Sequence, residues 1–167
     1  MLDSTSKVAD ATWPNGCHVC EVEVDPDTGA VVIDRYASVN DVGRVVNPMI
    51  VIGQLEGGAA QGIGQALSER FVYDAETGKA LTASFMDYAI PHMRMIRHFD
   101  MAMDESTPCL NNPMGVKGVG ELGTIGATPA VVNAVVDALV RGGHAQAAKS
   151  LQMPLSPARV WAALQAR

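Results

Sequence analysis

Residues 18–37 read HVCEVEVDPDTGAVVIDRYA, and this stretch predicts a β-hairpin. Apolar and polar residues alternate over residues 18–24, as expected of a strand with one buried face. Residues 25–29, DPDTG, have the composition of a tight turn, and a second β-branched run follows over residues 30–37. Two strands joined by so short a turn pair in antiparallel fashion, so this stretch supplies the first sheet of the fold.

A glycine-rich helix is predicted over residues 49–69, directly after the turn signal Asn47-Pro48. Leu55, Ala59 and Ile63 recur there at helical spacing. Glycine interrupts this pattern at Gly53, Gly57, Gly58, Gly62 and Gly64. Each of these glycines costs up to about 1 kcal/mol relative to alanine. Such a cost indicates close approach by another element or by a ligand, and the sequence leaves both explanations open.

The rest of the chain predicts short strands over residues 71–73, 80–88 and 97–103, then an irregular segment over residues 104–127. A long, largely buried helix is predicted to begin with Thr128 as N-cap and Pro129 as first residue, and to end at Arg141 before two glycines. A short last helix is predicted over residues 156–164. Strands and helices do not alternate regularly. The predicted fold class is therefore α+β, with antiparallel β-hairpins, the glycine-rich helix and a buried C-terminal helix.

Composition excludes several classes of protein. The chain has 167 residues, of which 48% are hydrophobic and 18% charged, and this balance suits one folded unit. A net charge of −6 argues against nucleic acid as a partner. No apolar run is long enough to predict a membrane span, and residues 1–14 form a polar segment without the apolar core of a secretory signal. Three cysteines fit a reducing compartment, so we expect a cytoplasmic protein. We expect residues 15–167 to form one unit.

Two motifs match known sites in their letters only. Cys17 and Cys20 form a C-x-x-C, but residues three apart on a strand point to opposite faces and cannot share a metal ion. Residues 118–123, GVGELG, match a dinucleotide-binding motif, yet no predicted strand precedes them. His92 and His98 lie six residues apart with no acidic partner between them. The sequence therefore predicts no metal site and no nucleotide-binding fold.

Glu121 is the one candidate for acid–base chemistry in the glycine-rich stretch of residues 118–126. It is the only carboxylate between Glu105 and Asp137, and glycines flank it on both sides. A segment with so little side-chain bulk lets backbone amides approach a ligand, and a carboxylate among them can act as a general base. A solvated surface glutamate is the alternative.

Several runs, taken together, resemble a known family. They are DVGRVVNP at 41–48, GQLEGGAAQGIG at 53–64, SFMDY at 84–88, GVKGVGE at 115–121 and PAVVNA at 129–134. In this order and spacing they resemble the C-terminal part of the molybdopterin-binding large subunit of the xanthine dehydrogenase, aldehyde oxidase and carbon monoxide dehydrogenase family. The resemblance extends from about residue 14 to residue 164, so the chain is expected to be part of a larger molybdenum-cofactor domain.

The resemblance also implies functional residues. Glu121 would be the active-site base beside molybdenum, and Gln54 would form a hydrogen bond with the pterin. The backbone of Gly118, Val119 and Gly120 would lie close to the metal centre, with Lys117 as conformational support for this cofactor-binding turn. The implied reaction is the oxidative hydroxylation of an aldehyde, an N-heterocycle or carbon monoxide, with water as the oxygen source.

The resemblance further implies cofactors and partners outside this chain. The cofactor would be molybdopterin with molybdenum, in the cytosine dinucleotide form, while iron–sulfur clusters and FAD would be carried by partner subunits. Only the last quarter of the large subunit is matched, so the chain is expected to be inactive without the remainder. A non-catalytic fragment or interaction module, including a homo-oligomer, is the alternative. Residues 92–98 depart from the family's usual acidic, proline-containing stretch, so the small-molecule substrate is left open.

Overall fold

The computed structural model of the chain describes residues 10–165. The elements are β1 (Asn15–Val24), β2 (Val31–Asp41), α1 (Pro48–Leu67), β3 (Phe99–Met103), α2 (Leu122–Arg141), α3 (Ala145–Ser150) and α4 (Pro157–Gln165). A single 3₁₀ turn, Met93–Met95, precedes β3. This arrangement has the predicted α+β class. The first nine residues of the predicted polar segment lie outside the described residues.

β1 and β2 form the hairpin that the alternation predicts. They pair antiparallel along their length, with one irregularity in register between Glu21 and Val22. Asp25 closes the turn, because its carboxylate accepts hydrogen bonds from the amide of Asp27 at 2.9 Å and from the hydroxyl of Thr28 at 2.7 Å. The local pattern of alternation and turn residues is therefore sufficient to specify this unit.

β3 completes the sheet on the other side of β2 and runs parallel to it, which gives the strand order β1-β2-β3. The strand predicted over residues 97–103 is confirmed in its C-terminal part. A parallel pair needs a long crossover connection, and here the crossover contains α1 and the segment that follows it.

The strands predicted over residues 71–73 and 80–88 are wrong. The two segments meet in one isolated bridge between Tyr73 and Ala80, and residues 84–88 form a turn in which the hydroxyl of Ser84 donates to the Asp87 carboxylate at 2.6 Å. Aromatic and β-branched residues suggested strands here. In the folded chain Phe71 and Tyr73 instead contact each other on the surface, with ring centroids 5.0 Å apart, and neither segment joins the three-stranded sheet.

The long helix α2 begins at Leu122, seven residues before the predicted first helical residue. The prediction of Thr128 as N-cap and Pro129 as first helical residue is wrong, because Pro129 lies inside the helix. The hydroxyl of Thr128 donates to the carbonyl oxygen of Gly62 in α1, at 3.1 Å, instead of capping α2. Packing on α1 stabilises the added turns although residues 122–127 have low helix propensity.

α2 is buried along one row of side chains. The row consists of Gly123, Ala127, Val131, Val135 and Leu139. Its outer face carries an exposed ion pair between Asp137 and Arg141, at 2.7 Å. By length and composition α2 could span a membrane. Among the described residues it packs against both α1 and β1, with 28% of its most apolar stretch buried.

The core lies between the sheet and the helices α1 and α2. Its largest fully buried side chains are Tyr36, Ile33, Leu55, Ile63, Leu155, Val131, Val135 and Val160. α4, predicted over residues 156–164, adds Val160 to this core. Gly29 of the hairpin turn has a positive φ of 71°, and a Cβ there would lie 2.2 Å from the carbonyl oxygen of Pro157. The hairpin turn therefore contacts the backbone of α4 directly.

Candidate active site

The glycine-rich segment before α2 is held by the end of β2. The amide of Lys117 donates to the carbonyl oxygen of Val42 at 2.8 Å, and the amide of Arg44 donates to that of Gly115 at 2.9 Å. Gly43 has a φ of 64°, and a Cβ there would lie 2.2 Å from the Gly115 carbonyl oxygen. This close backbone pairing fixes where residues 118–121 begin.

A largely buried ion pair reinforces this attachment. Lys117 Nζ lies 2.6 Å from Asp41 Oδ2, and the two side chains are only 11% and 15% exposed. The hydroxyl of Thr107 donates to the same carboxylate oxygen, and the amide of Gly43 donates to Oδ1 at 2.8 Å. Because its ammonium is bound to Asp41, Lys117 ties residues 115–117 to the end of β2.

These contacts determine the acid–base behaviour of Asp41. Desolvation by burial acts to raise the pKa of Asp41. The hydrogen bonds from Lys117, Thr107 and Gly43, together with the Lys117 charge, outweigh it and lower the pKa to about 2. The unperturbed value is 3.8, so the unfolded chain takes up this proton before the folded chain does. The stabilisation is therefore complete above pH 3.8 and is lost as the pH falls through about 2.

We expect Lys117→Met to lower the free energy of unfolding by about 1.5–3 kcal/mol near neutral pH, because a charged hydrogen bond is lost at a buried site. Urea denaturation between neutral and acidic pH measures this change. The difference between wild type and variant should shrink on acidification, as Asp41 becomes protonated in the wild type. Lys79→Met, at an exposed turn, is the matched control. A constant difference across the pH range would contradict this role of the ion pair.

Gly118 and Gly120 face open space. A Cβ at Gly118 would have no neighbour within 4 Å, and one at Gly120 would meet only Gln54 Nε2, at 4.0 Å. Within residues 10–165, the backbone amides of residues 118, 119 and 120 donate no hydrogen bond to a backbone carbonyl oxygen. The structure thus places the side-chain amide of Gln54, from α1, beside this segment.

Glu121 is the N-cap residue of α2, but its side chain makes no capping hydrogen bond. The residue is exposed, and its carbonyl oxygen accepts from the amide of Ile125 at 3.0 Å. The N-terminal end of a helix carries a partial positive charge, which favours a carboxylate at this position. The carboxylate of Glu121 is therefore free of the structural role that a residue at this position usually has.

Close packing between α1 and α2 fixes the start of α2 on α1. A Cβ at Gly123 would lie 2.5 Å from the carbonyl oxygen of Leu55, and one at Gly62 would lie 2.8 Å from that of Thr124. The hydroxyl of Thr124 also donates to the carbonyl oxygen of Gly58 at 2.9 Å. The two helix backbones are in contact, so the start of α2 cannot move along α1 without a clash.

The glycines of α1 therefore have two different roles. Gly58 and Gly62 dock α2, whereas a Cβ at Gly53 or Gly57 would have no neighbour within 4 Å. Close approach by another element is confirmed for Gly58 and Gly62, whereas close approach by a ligand at Gly53 and Gly57 stays a prediction. Gly53, Gln54 and Gly57 form an exposed, low-bulk face of α1, and Gln54 lies beside Gly120.

In the described chain, the cysteines and histidines considered as metal ligands do not form a site. Cys17 is exposed while Cys20 packs against the core, and desolvation by burial raises the pKa of the Cys20 thiol to about 11. Within the part of the chain that the structure describes, no three His, Cys, Asp or Glu side chains are grouped to hold a metal ion. His92 and His98 are exposed, and His98 Nε2 lies 3.1 Å from the Asp100 carboxylate.

Comparison with known proteins identifies the family of this chain. The sequence model of the molybdopterin cofactor-binding domain family matches residues 2–97, which is more than half of the chain. The chain is 38% identical over 153 residues to the 6-hydroxypseudooxynicotine dehydrogenase complex subunit gamma of Paenarthrobacter nicotinovorans, covering 92% of this chain and 18% of that one. It is 43% identical over 148 residues to the nicotine 6-hydroxylase large subunit of the same organism, covering 89% and 17%.

A solved structure agrees with the sequence relatives. The crystal structure of the Cu,Mo-CO dehydrogenase in its carbon monoxide reduced state superposes with a TM-score of 0.81 at 34% identity, over 90% of this chain and 18% of that chain. The chain thus spans less than a fifth of the length of these relatives. Its fold is that of one part of a much longer subunit, and the chain belongs to the molybdopterin cofactor-binding domain family of molybdenum-containing oxidoreductase large subunits.

Proposed function

We propose that this chain supplies one side of the active site of a molybdenum hydroxylase, with Glu121 as the general base. One observation carries the proposal. Gln54 and Gly120 are 66 residues apart in sequence, yet a Cβ at Gly120 would lie 4.0 Å from Gln54 Nε2. Both residues are exposed to solvent. The residue expected to bind the pterin and the segment expected to approach the metal therefore lie together.

The chemistry of this face suits the cofactor. Gln54 offers both a hydrogen-bond donor and an acceptor, and the backbone amides of Gly118 and Gly120 offer donors at residues that have no side chain. When bound, molybdopterin with molybdenum supplies the redox chemistry of the hydroxylation. The protein contributes position, hydrogen bonds and a base.

Glu121 can act as that base because its carboxylate is exposed and makes no capping bond. In the assembled site it accepts a proton from the water that provides the oxygen atom, as a general base within hydrogen-bond reach. Lys117 and Asp41 hold the segment before it, and the contact of Gly123 with α1 holds the helix after it. Glu121 is thus fixed on both sides although its own side chain is free.

The remaining parts of the enzyme come from other chains or from the rest of the large subunit. We propose that the cofactor is the cytosine dinucleotide form and that iron–sulfur and flavin subunits complete a cytoplasmic complex. The reaction is the hydroxylation of an aldehyde, an N-heterocycle or carbon monoxide. The names of three relatives refer to nicotine derivatives and to carbon monoxide, and they support the last two of these substrate classes.

A non-catalytic interaction module is the second candidate, and exposed apolar side chains favour it. Phe85, Met86 and Met93 are 88%, 93% and 94% exposed. Apolar side chains exposed to this degree and close in sequence mark a surface that binds another protein. The remainder of a large subunit would cover them in the first proposal, whereas a second copy of this chain would do so in the second.

Molybdenum content separates the two candidates. We expect the chain, purified with its larger partners, to contain about one molybdenum per chain, and Gln54→Ala to lower this content about tenfold, since loss of a positioned hydrogen bond to a bound group has effects of this order. Elemental analysis gives the measurement, and Gln146→Ala in α3 is the matched control. Absence of molybdenum from the wild-type assembly would reject the first candidate and leave the interaction module.

A further inference from the structure

A chain of buried polar side chains lies on the sheet beside the start of α2. Tyr36, Ser38 and Asn40 alternate along β2 and are 1%, 4% and 0% exposed. His18 of β1 pairs with Ser38 across the hairpin, and its ring reaches two of the three residues. His18 Nδ1 lies 2.6 Å from the Tyr36 hydroxyl, and Nε2 lies 3.2 Å from Asn40 Oδ1.

The acceptors at the Met101 end of this side-chain network fix the direction of every hydrogen bond in it. Met101 Sδ can only accept, so the Ser38 hydroxyl donates to it at 2.7 Å. Ser38 Oγ in turn accepts from Asn40 Nδ2 at 2.7 Å, and Asn40 Nδ2 also donates to the carbonyl oxygen of Ala102 at 3.4 Å. The oxygen of the Asn40 amide therefore faces His18.

This orientation determines the state of His18. Nε2 must carry a proton in order to donate to Asn40 Oδ1, and Nδ1 of the neutral ring then accepts from the hydroxyl of Tyr36. Desolvation by burial lowers the pKa of His18, against a smaller opposite effect of the bond to Asn40, and so favours the neutral ring. Each polar side chain of this network has a hydrogen-bond partner, as a buried polar network requires.

The same network contacts the first two turns of α2. A Cβ at Gly126 would lie 2.6 Å from Cγ, Nδ1 and Cδ2 of His18 alike, so the face of the imidazole ring meets Gly126 directly. On the neighbouring side, a Cβ at Gly16 would lie 3.0 Å from Asn40 Oδ1 and 3.5 Å from Leu122 Cδ1. Leu122 follows Glu121 immediately, so the network and the base are joined by one turn of helix.

We propose that His18 is a positioning residue: as a neutral ring with its proton on Nε2, it sets where the first turn of α2 rests on the sheet and thereby where Glu121 stands. The catalytic part of this inference depends on the proposed function, whereas the positioning of α2 does not. Nothing in the sequence pattern of β1 indicates this role. His18 occupies an ordinary position of an alternating strand, and its partners lie 18 and 22 residues away.

The protonation state is tested on the whole chain by ¹H–¹⁵N NMR of the four histidine rings. We expect one ring N–H to be protected from exchange with solvent, to belong to Nε2 of His18, and to disappear in His18→Phe. Tyr36→Phe should shift the Nδ1 resonance of His18 because that atom loses its donor. A protonated Nδ1, or a His18 ring N–H that exchanges as fast as those of the exposed His92 and His98, would overturn the proposal.

The positioning is tested by hydrogen exchange of the backbone amides of α2. In His18→Phe, whose ring still packs on Gly126, and in Tyr36→Phe, we expect the amides of residues 125–127 to exchange at least about tenfold faster, while those of residues 135–139 change little. His98→Phe, at an exposed site, is the control. Equal acceleration along the whole helix, or none, would show that the network does not act on the first turns and would reject the inference.

The link to Glu121 is tested in the assembled enzyme by the pH dependence of kcat/KM. His18→Phe should shift the limb of the profile that Glu121→Gln removes, with molybdenum content unchanged. An unshifted profile would overturn the effect on Glu121. If Glu121→Gln leaves turnover unchanged while the exchange result holds, the proposed base is wrong but His18 still positions α2, so the two failures are distinguishable.

Discussion

Replacement of Glu121 by glutamine is expected to lower kcat of the assembled enzyme by a factor of about 10²–10⁴, the usual contribution of a general base. Glutamine keeps the size and shape of the side chain but cannot accept a proton. Molybdenum content should stay at the wild-type level, because the Glu121 side chain makes no capping bond whose loss would disturb α2. Steady-state kinetics and elemental analysis of the same preparation measure both quantities.

The control for this experiment must change the same charge elsewhere on the chain. Glu23→Gln fits, because Glu23 is exposed on β1. Loss of molybdenum together with activity in Glu121→Gln would assign Glu121 a structural role in the cofactor site. Unchanged turnover with full molybdenum content would contradict the proposed base altogether.

Elements defined by local patterns are predictable from this sequence. The hairpin, the glycine-rich helix and α4 follow from alternation, helical spacing and turn residues within a few positions of each other. The strands predicted near Phe71 and Ala80 fail because local composition does not specify a pairing partner. The two segments meet in one isolated bridge, and neither joins the outer edge of β1 or of β3.

The start of α2 is a failure of a different kind. Thr128-Pro129 is a strong local signal for a helix start, and the glycines before it argue against helix. The structure extends α2 back to Leu122 because Gly58, Gly62 and Gly123 let two helix backbones touch. Such a contact joins residues more than 60 positions apart, which no local pattern reports.

The candidate site shows the same division. Gln54 and Glu121 could be named from the family resemblance, and the fold brings Gln54 beside Gly120, the residue that precedes Glu121. The ion pair of Asp41 with Lys117 spans 76 residues, and the contact of His18 with Gly126 joins β1 to α2. Asp41 and Lys117 lie within the runs that carry the family resemblance, and the resemblance names Lys117 as conformational support, but no local pattern shows that the two side chains pair. The contact of His18 with Gly126 follows from no motif at all. The sequence therefore names the groups expected to perform the chemistry, but not the long-range contacts that hold them in place.

Replacement of Gly123 by alanine is expected to destabilise the chain by about 3 kcal/mol, at the upper end of the usual cost of overpacking. The new Cβ would lie 2.5 Å from the Leu55 carbonyl oxygen, 2.7 Å from the Ala59 amide nitrogen and 3.0 Å from the Gly58 carbonyl carbon. All three are backbone atoms of α1, so no side chain can rotate to relieve the clash. The two helices must separate, and the start of α2 moves with them.

Gly57→Ala provides the matched comparison on the same helix pair. A Cβ at Gly57 has no neighbour within 4 Å, so we expect this substitution to raise the free energy of unfolding by up to about 1 kcal/mol through helix propensity alone. Urea denaturation of the two variants and wild type measures both effects. Equal destabilisation by Gly123→Ala and Gly57→Ala would contradict the division of the glycines into docking and open positions. If the open face binds molybdopterin as proposed, Gly57→Ala should also lower the molybdenum content of the assembled enzyme while stabilising the chain, because the methyl group occupies space that only the cofactor needs.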